Sequence, residues 1–443
     1  MDNRGFISPY TPNTDADRRR MLDAIGVDSA SELFTDIPAD LLDPKLDIPS
    51  PLSELELRRV IEGMARSNAI PGDYACFLGG GSYRHHIPAV VRQIASRSEF
   101  MTAYTPYQPE VSQGTLQAHY EFQTLVCQLT GMEISNSGMY DGATSMAEAA
   151  LMAARVTGKQ RVVVLESVSP YYLEVLKTFC DAPGLEIETV PDGVSEMAKD
   201  SACLIVQQPN FFGRIIDLKK LSDLAHSAGA LLVVACDLMS LAMFKCPGDY
   251  DSDIVVAEGQ PMGVAPTFGG PYVGIFACKQ KYSRQMPGRI VGRTVDSDGR
   301  EGFVLTLQTR EQHIRRERAT SNICTSVGLI ALITTVYMAS LGKRGLQHVA
   351  ESCYHKAHYA ASMVADIPGY FLETDAPFFR EFVLECPMPP KAINEKLLQY
   401  RIIGGLDVSE HVSNGMLFCF TEVNSKEEID LLVSALAEIG GAA

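Results

Sequence analysis

An α/β fold, with a large, mainly parallel sheet domain and a small C-terminal α+β domain, is what this sequence predicts. Two observations predict the large domain. Several short runs are apolar throughout, LLVVAC at 231–236 being the clearest, and such runs suit strands covered on both faces. They also alternate with amphipathic stretches such as Leu218–Ala228, the order that builds a parallel sheet with helices packed on it. A third observation sets off the end of the chain, where a long helical segment leads to two more strand candidates and a final helix.

Taken in order, residues 1–70 form an N-terminal helical arm, polar and punctuated by prolines. Helix signals lie at Asp15–Ile25 and Ser53–Arg66, the second opened by Ser53 and Glu56 in an S-x-x-E capping box. An arm of this kind either embraces a partner subunit or decorates the surface. Residues 71–325 form the large domain, with strands expected at Arg161–Leu165, Glu186–Val190, Ala202–Val206, Ala230–Ala235, Asp253–Ala257 and Tyr272–Ala277. Residues 326–365 read as a linking helix, Ser326–Ala365, and 366–443 as the small domain, with strands around Phe382–Glu385 and Met416–Phe420. In the last helix Ser425 and Glu428 form a second capping box, and Ile429, Leu432, Val433 and Leu436 follow at helical spacing.

Composition narrows the function. A formal charge of −16, with no basic block longer than Arg18–Arg20, argues against a nucleic-acid partner, which needs a cationic footprint. Eleven cysteines contain no C-x-x-C pair, so reduced thiols fit better than a disulfide framework or a zinc knuckle. His355 and His358 share a helix face without a carboxylate third ligand, and no metal site is expected. The first residues hold no apolar stretch of secretory type, and Val327–Leu341 is interrupted by Thr334, Thr335 and Ser340. The chain is therefore expected to be cytoplasmic and not membrane-bound.

Four constellations could carry chemistry. Tyr140–Glu148 (YDGATSMAE) places a glycine turn before a small-residue helix. Its first backbone N–H groups, around Gly142, Ala143 and Thr144, could cradle a phosphate; alternatively this is an ordinary buried helix with Ser145 as N-cap and Glu148 as its partner. Asp237 ends a strand, where α/β sheets place ligands; it could pair with a cationic ring nitrogen or merely cap a turn. The stretch Glu258–Pro271 (EGQPMGVAPTFGGP) lacks a Walker lysine and a G-x-G-x-x-G, which leaves a tight loop with close backbone approach. Thr105–Gly114 (TPYQPEVSQG) crowds polar and aromatic groups ahead of a helix at Leu116–Leu129, as ligand-binding loops do. His85 and His86 follow three glycines and could lie near a site.

These strings, with RERATSNICT at 316–325, resemble the P-protein family of the glycine cleavage system. Over essentially the whole chain the sequence is similar to the N-terminal-type subunit of the two-subunit bacterial form. The resemblance implies the fold type I, aspartate aminotransferase-like architecture of pyridoxal 5'-phosphate (PLP) enzymes. It also implies a PLP pocket built around Gly142, Ala143, Thr144 and Asp237, with a Schiff-base lysine on the loop after the next strand. Aligning the GGP loop puts Gln260 at or beside that lysine slot. Lys245 is too close to Asp237, and Lys279 lies beyond the following strand.

An amide cannot form the aldimine that activates such a cofactor. The resemblance accordingly implies a catalytically silent subunit with a vestigial pocket, whose lysine-bearing partner holds the PLP, as an α2β2 assembly. The complex would decarboxylate glycine and pass the aminomethyl group to the lipoyl group of the H protein. Thr105, Tyr107, Gln108 and Gln113 are the residues expected to reach the partner's site. Two other readings stand beside this one: a non-enzymatic scaffold or sensor that keeps the fold, and an independent PLP enzyme with an unexpected lysine.

Overall fold

The computed structural model describes residues 10, 13–38, 40–42, 44–325 and 327–441. It divides into two compact units, residues 1–68 and 69–443. In the first, helices α1 (Asp15–Ile25) and α2 (Glu54–Ala65) each begin with a reciprocal capping box, Thr14 with Asp17 and Ser53 with Glu56. None of this unit's described residues is buried. Leu52, Leu55, Leu57, Val60, Ile61 and Met64 are all exposed, so α2 turns apolar side chains to solvent.

The second unit opens its main sheet after helix α3 (Gln113–Thr130). Strand β1 (Ile134–Ser135) leads into helix α4 (Gly142–Thr157), then β2 (Arg161–Leu165), helix α5 (Pro170–Asp181), β3 (Glu186–Val190) and β4 (Ser201–Gln208). Helix α6 (Leu218–Ser227), β5 (Leu231–Cys236), β6 (Ile254–Glu258) and β7 (Gly274–Cys278) complete it. The seven strands run in the order β1-β7-β6-β5-β4-β2-β3. Neighbours from β3 to β6 are all parallel, whereas β7 runs antiparallel to both β6 and β1. The apolar runs become its centre because both faces are covered: every residue of β5 is buried. This parallel order brings the C-terminal ends of β4, β5 and β6 together at one edge, where an α/β sheet forms its crevice.

Two elements depart from the sequence reading. A hairpin, β8 (Ile290–Val295) with β9 (Glu301–Thr306), stands outside the main sheet. Its outer residues are exposed and its sequence lacks a continuous apolar run. The linking helix α7 (Gly328–Val364) is broken at Gly342, which has φ 59° and ψ −174°, a conformation that only glycine tolerates easily. Ser326, with which that helix was expected to begin, lies outside the described residues.

The C-terminal part packs a four-stranded antiparallel sheet in the order β10-β11-β13-β12, made of β10 (Phe371–Leu372), β11 (Glu381–Glu385), β12 (Leu406–Asp407) and β13 (Gly415–Cys419). Helices α8 (Pro390–Gln399) and α9 (Lys426–Gly441) accompany it. The Ser425–Glu428 box opens α9 as expected. This part has its own core, in which Phe382, Leu384, Phe418, Ile429 and Leu436 meet Ala357 and Ala361 of α7. Ala75 and Phe77 belong to that core too, because Ala75–Cys76 pairs in parallel with Ile402–Ile403. No helix among the described residues is long and apolar enough to cross a membrane.

Candidate functional site: a filled pocket and an open motif face

The crevice at the ends of β4, β5 and β6 gathers the residues singled out for a cofactor. Gly142 and Thr144 open α4, Asp237 follows β5, and Gln260 follows β6. The cap of α4 is Asp141, not Ser145: the Asp141 carboxylate accepts from Thr144 N at 2.8 Å. Ser145 lies within the first turn and donates to the Asp141 carbonyl at 2.7 Å. Glu148, one turn further on, is buried with Oε2 unpartnered. Burial pushes its carboxyl up to about 7, with Arg155 opposing the shift.

Of the groups singled out for a cofactor, the N–H groups of Gly142 and Thr144, the Asp237 carboxylate and the Gln260 amide have partners in the chain, and Ala143 lies between the first two on α4. The N–H of Gly142 donates to Glu258 Oε2 at 2.9 Å, and Gln260 N donates to Glu258 Oε1 at 3.0 Å. Burial raises the Glu258 carboxyl to about 8 despite those two hydrogen bonds. Asp237 Oδ2 forms an ion pair with Arg380 Nη2 at 2.6 Å, and its Oδ1 accepts from Met239 N at 2.9 Å. The Gln260 side chain is fully buried. Its Oε1 accepts from Tyr83 N at 2.8 Å, while Nε2 donates to Tyr83 O at 2.7 Å and Val264 O at 2.6 Å.

Arg380, just ahead of β11, dominates the electrostatics. Its guanidinium carbon lies 3.6 Å from the centroid of the Tyr83 ring. Burial is the largest single influence and works against its charge, but Asp237, Tyr83, Cys419 and Cys353 together outweigh it and hold its pKa above the ordinary value. Neighbouring Glu381 accepts from Gly80 N at 2.7 Å and from Tyr83 Oη at 2.8 Å. Burial lifts its carboxyl to about 6 against the pull of Arg380. Arg380 Nη1 lies 2.6 Å from His85 Nε2, and His85 Nδ1 lies 2.6 Å from Glu422 Oε2. A guanidinium can only donate, so Nε2 is placed to accept from Arg380 and Nδ1 faces the Glu422 carboxylate.

His85, Cys353 and Glu422 form the one cluster of metal-ligating groups found among the described residues. The guanidinium at Nε2 makes it a poor cation site. His358 is occupied elsewhere, stacked on Phe378 with its Nε2 3.1 Å from that residue's carbonyl.

The residues around Gln260 do not fit PLP as they stand: this crevice holds the Gln260 amide, and among the described residues neither Lys279 nor Lys245 offers it an amine. Lys279 is paired with Asp251 and Asp253 at 2.7 and 2.9 Å, and Lys245 lies over the Tyr250 ring. The cavity left between Gly80, Tyr83, Tyr172, Asp237 and Glu258 has a volume of about 50 Å³, whereas ligand pockets run from about 300 Å³ upward.

The remaining motifs meet elsewhere, on an open face. Thr105, Pro271 of the GGP loop, His119 of α3, and Thr325, Val327 and Gly328 line a cavity of about 300 Å³. Burial, reinforced by Arg289, lowers the His119 imidazole to about 4. Tyr107 is held by Arg289, whose Nη2 donates to Tyr107 Oη at 2.8 Å. The same guanidinium pairs with Glu311 at 3.2 Å and donates to the Cys324 carbonyl. One buried arginine thereby ties TPYQPEVSQG to RERATSNICT. Gln113 is committed within the chain: it accepts from Phe303 N at 2.8 Å and donates to Phe303 O at 2.9 Å and Pro109 O at 2.7 Å. Gln108 is exposed.

Sequence reasoning missed Glu258, Arg289, Arg380 and Glu381 as site residues. A signal existed for the last two, a charged pair at the head of the strand run FVLE, since a charge carried into a core requires a partner.

The sequence matches the family described as Glycine cleavage system P-protein over residues 8–436. It is 50% identical over 443 residues to a probable glycine dehydrogenase (decarboxylating) subunit 1 from Chlorobium phaeobacteroides, covering 97% of this chain and 100% of that protein. A crystal structure of glycine decarboxylase (P-protein) of the glycine cleavage system, in inhibitor-bound form, superposes with a TM-score of 0.93 at 43% identity, covering 98% of this chain and 100% of that one. A more distant likeness, to a C-DES variant with glycine covalently linked to its PLP cofactor, has a TM-score of 0.58 at 12% identity and covers 80% of this chain and 94% of that one. The architecture is that of fold type I PLP-dependent enzymes. With the family matched over almost its whole length, the chain belongs to the glycine cleavage system P-proteins, alongside members named as glycine dehydrogenase (decarboxylating) subunit 1.

Proposed function

We propose that this chain is the catalytically silent subunit of a glycine-decarboxylating complex, and that a lysine-bearing partner subunit holds the PLP. Membership among the subunit 1 proteins supports a role in that complex and a partner within it. Silence rests on one observation: the Gln260 amide, buried and hydrogen-bonded at both ends, occupies the loop after β6 where an amine is required.

The contribution of this chain is then structural and positional. It completes an α2β2 assembly in the cytoplasm and presents the open motif face to the partner's site. Thr105, Tyr107 and Gln108 are the side chains offered there. Gln113 holds the loop in place through its hydrogen bonds to Pro109 and Phe303. The complex decarboxylates glycine and transfers the aminomethyl group to the lipoyl group of the H protein.

Co-expression with the lysine-bearing subunit, followed by a glycine–bicarbonate exchange assay, tests the reading. Activity should require both chains, and borohydride should trap cofactor on the partner alone. Exchange by this chain in isolation would overturn it.

A further inference from the structure

We propose that Glu258 and Arg380 take, within this chain, the two places at which PLP would be gripped: Glu258 the phosphate end and Arg380 the ring end. This rests on the silent-subunit reading and goes further, because it makes the missing amine only one of three obstacles to the cofactor.

At the phosphate end, α4 is sixteen residues long and its N-terminus would attract an anion. That place is already taken by the protein: a Glu258 carboxyl oxygen takes the Gly142 N–H, and the Asp141 carboxylate takes that of Thr144. An incoming phosphate would have to displace the Glu258 side chain from the same donor, beside the Asp141 carboxylate. The wall is tight as well, since a Cβ on Gly142 would stand 2.9 Å from Glu258 N and would also collide with Tyr172 Oη.

At the ring end, Asp237 would have to neutralise a pyridinium. It is instead paired with Arg380, whose guanidinium spreads over the Tyr83 ring. Gln260 then closes the floor by bridging Tyr83 to Val264. The plug gives a partner to the Gly142 N–H and to the half-buried Asp237 together, so neither group needs a cofactor.

The test uses the full-length chain in three forms: unsubstituted, Gln260→Lys, and Glu258→Ser with Gln260→Lys. Each is incubated with PLP, reduced with borohydride and mapped by peptide mass. The introduced amine would condense with the aldehyde, releasing one water. Borohydride would then deliver hydride to the imine carbon, and solvent a proton to nitrogen, leaving a stable secondary amine. The single variant should show no more adduct at position 260 than background labelling at other lysines. The double variant should show at least ~10-fold more, and inorganic phosphate should compete it away.

Equal labelling of the single and double variants would overturn the proposal. So would a double variant that retains the native circular dichroism spectrum and stays at background even when Arg380→Ala is added to it. A second measurement needs no aldimine: inorganic phosphate should raise the melting temperature of Glu258→Ala but not of the unsubstituted chain, and no rise in Glu258→Ala counts against the proposal. Exchange by the unsubstituted chain with its partner is a separate assay, so failure of the functional reading would be told apart from failure of this one.

Discussion

The filled pocket and the open motif face are built from the same kinds of residue and end in opposite states. In the pocket, the Asp237, Glu258 and Gln260 side chains are taken up by Arg380 and by backbone groups, leaving about 50 Å³. On the face, one buried arginine fixes the two loops from below while Thr105 lines a cavity of about 300 Å³ and Gln108 points to solvent. On the silent-subunit reading, the fold gives up its ligand crevice and keeps its scaffold because internal groups replace what a ligand would satisfy. Buried polar groups that lose a partner are costly, so a silent pocket must be refilled rather than merely emptied.

Breaking the refilled pocket should therefore have the largest effect. Arg380→Ala would leave a buried Glu381 and a half-buried Asp237 without their cation. We expect a loss of about 3–5 kcal/mol in urea unfolding. A loss below ~1 kcal/mol would mean that the pocket does not depend on its internal ion pair.

Arg289→Lys sharpens the contrast from the other side. Lysine keeps the charge but cannot serve Glu311, Tyr107 and the Cys324 carbonyl at once. A cost of about 1.5–3 kcal/mol is expected. Exchange by the assembled complex should fall further than that destabilisation accounts for, because both loops lose their common anchor. Parallel urea titrations and exchange assays separate the two quantities.

Much of the scaffold was legible from residues alone. Strands β2 and β3 and helix α1 match their expected bounds, because short β-branched runs and helical spacing are local signals. Asp237 was marked by its place at a strand end and Gln260 only by the resemblance; the parallel order of β5 and β6 brings both to one crevice. What was not legible depends on contacts between distant segments. Arg380 reaches Asp237 across 143 positions of sequence, and Gln260 reaches Tyr83 across 177. Ser145 looked like a cap because Glu148 follows it at the right spacing, yet Asp141 outcompetes it with a carboxylate. The break at Gly342 was hidden within a helical pattern that continues on both sides.

The pH dependence of stability probes the pocket more gently. Burial raises Glu148 and Glu258 from 4.5 to about 7 and about 8. In the unfolded chain both ionise near the lower value, while the native state holds their protons longer. The stability they contribute is thus complete below pH 4.5 and is lost as pH rises through about 7 and about 8. Glu148→Gln, which cannot ionise, should flatten the fall in urea midpoint between pH 4.5 and about 7. An unchanged slope would show that Glu148 is not held neutral by its surroundings.

The smallest effects divide the motif face itself. Gln113 hydrogen-bonds the Phe303 backbone as a neighbouring strand would, and it also holds Pro109. Gln113→Ala should cost about 1 kcal/mol and reduce exchange only as far as the loop loosens. Gln108 is exposed and caps the short turn Pro109–Val111 through its backbone, with no side-chain cap bond. Gln108→Ala should therefore leave unfolding unchanged and lower exchange in the complex, with the loss in kcat rather than in folded fraction. If Gln113→Ala cripples exchange at full stability while Gln108→Ala does nothing, the roles are reversed, and the side chain that reaches the partner is the one now tied to Phe303.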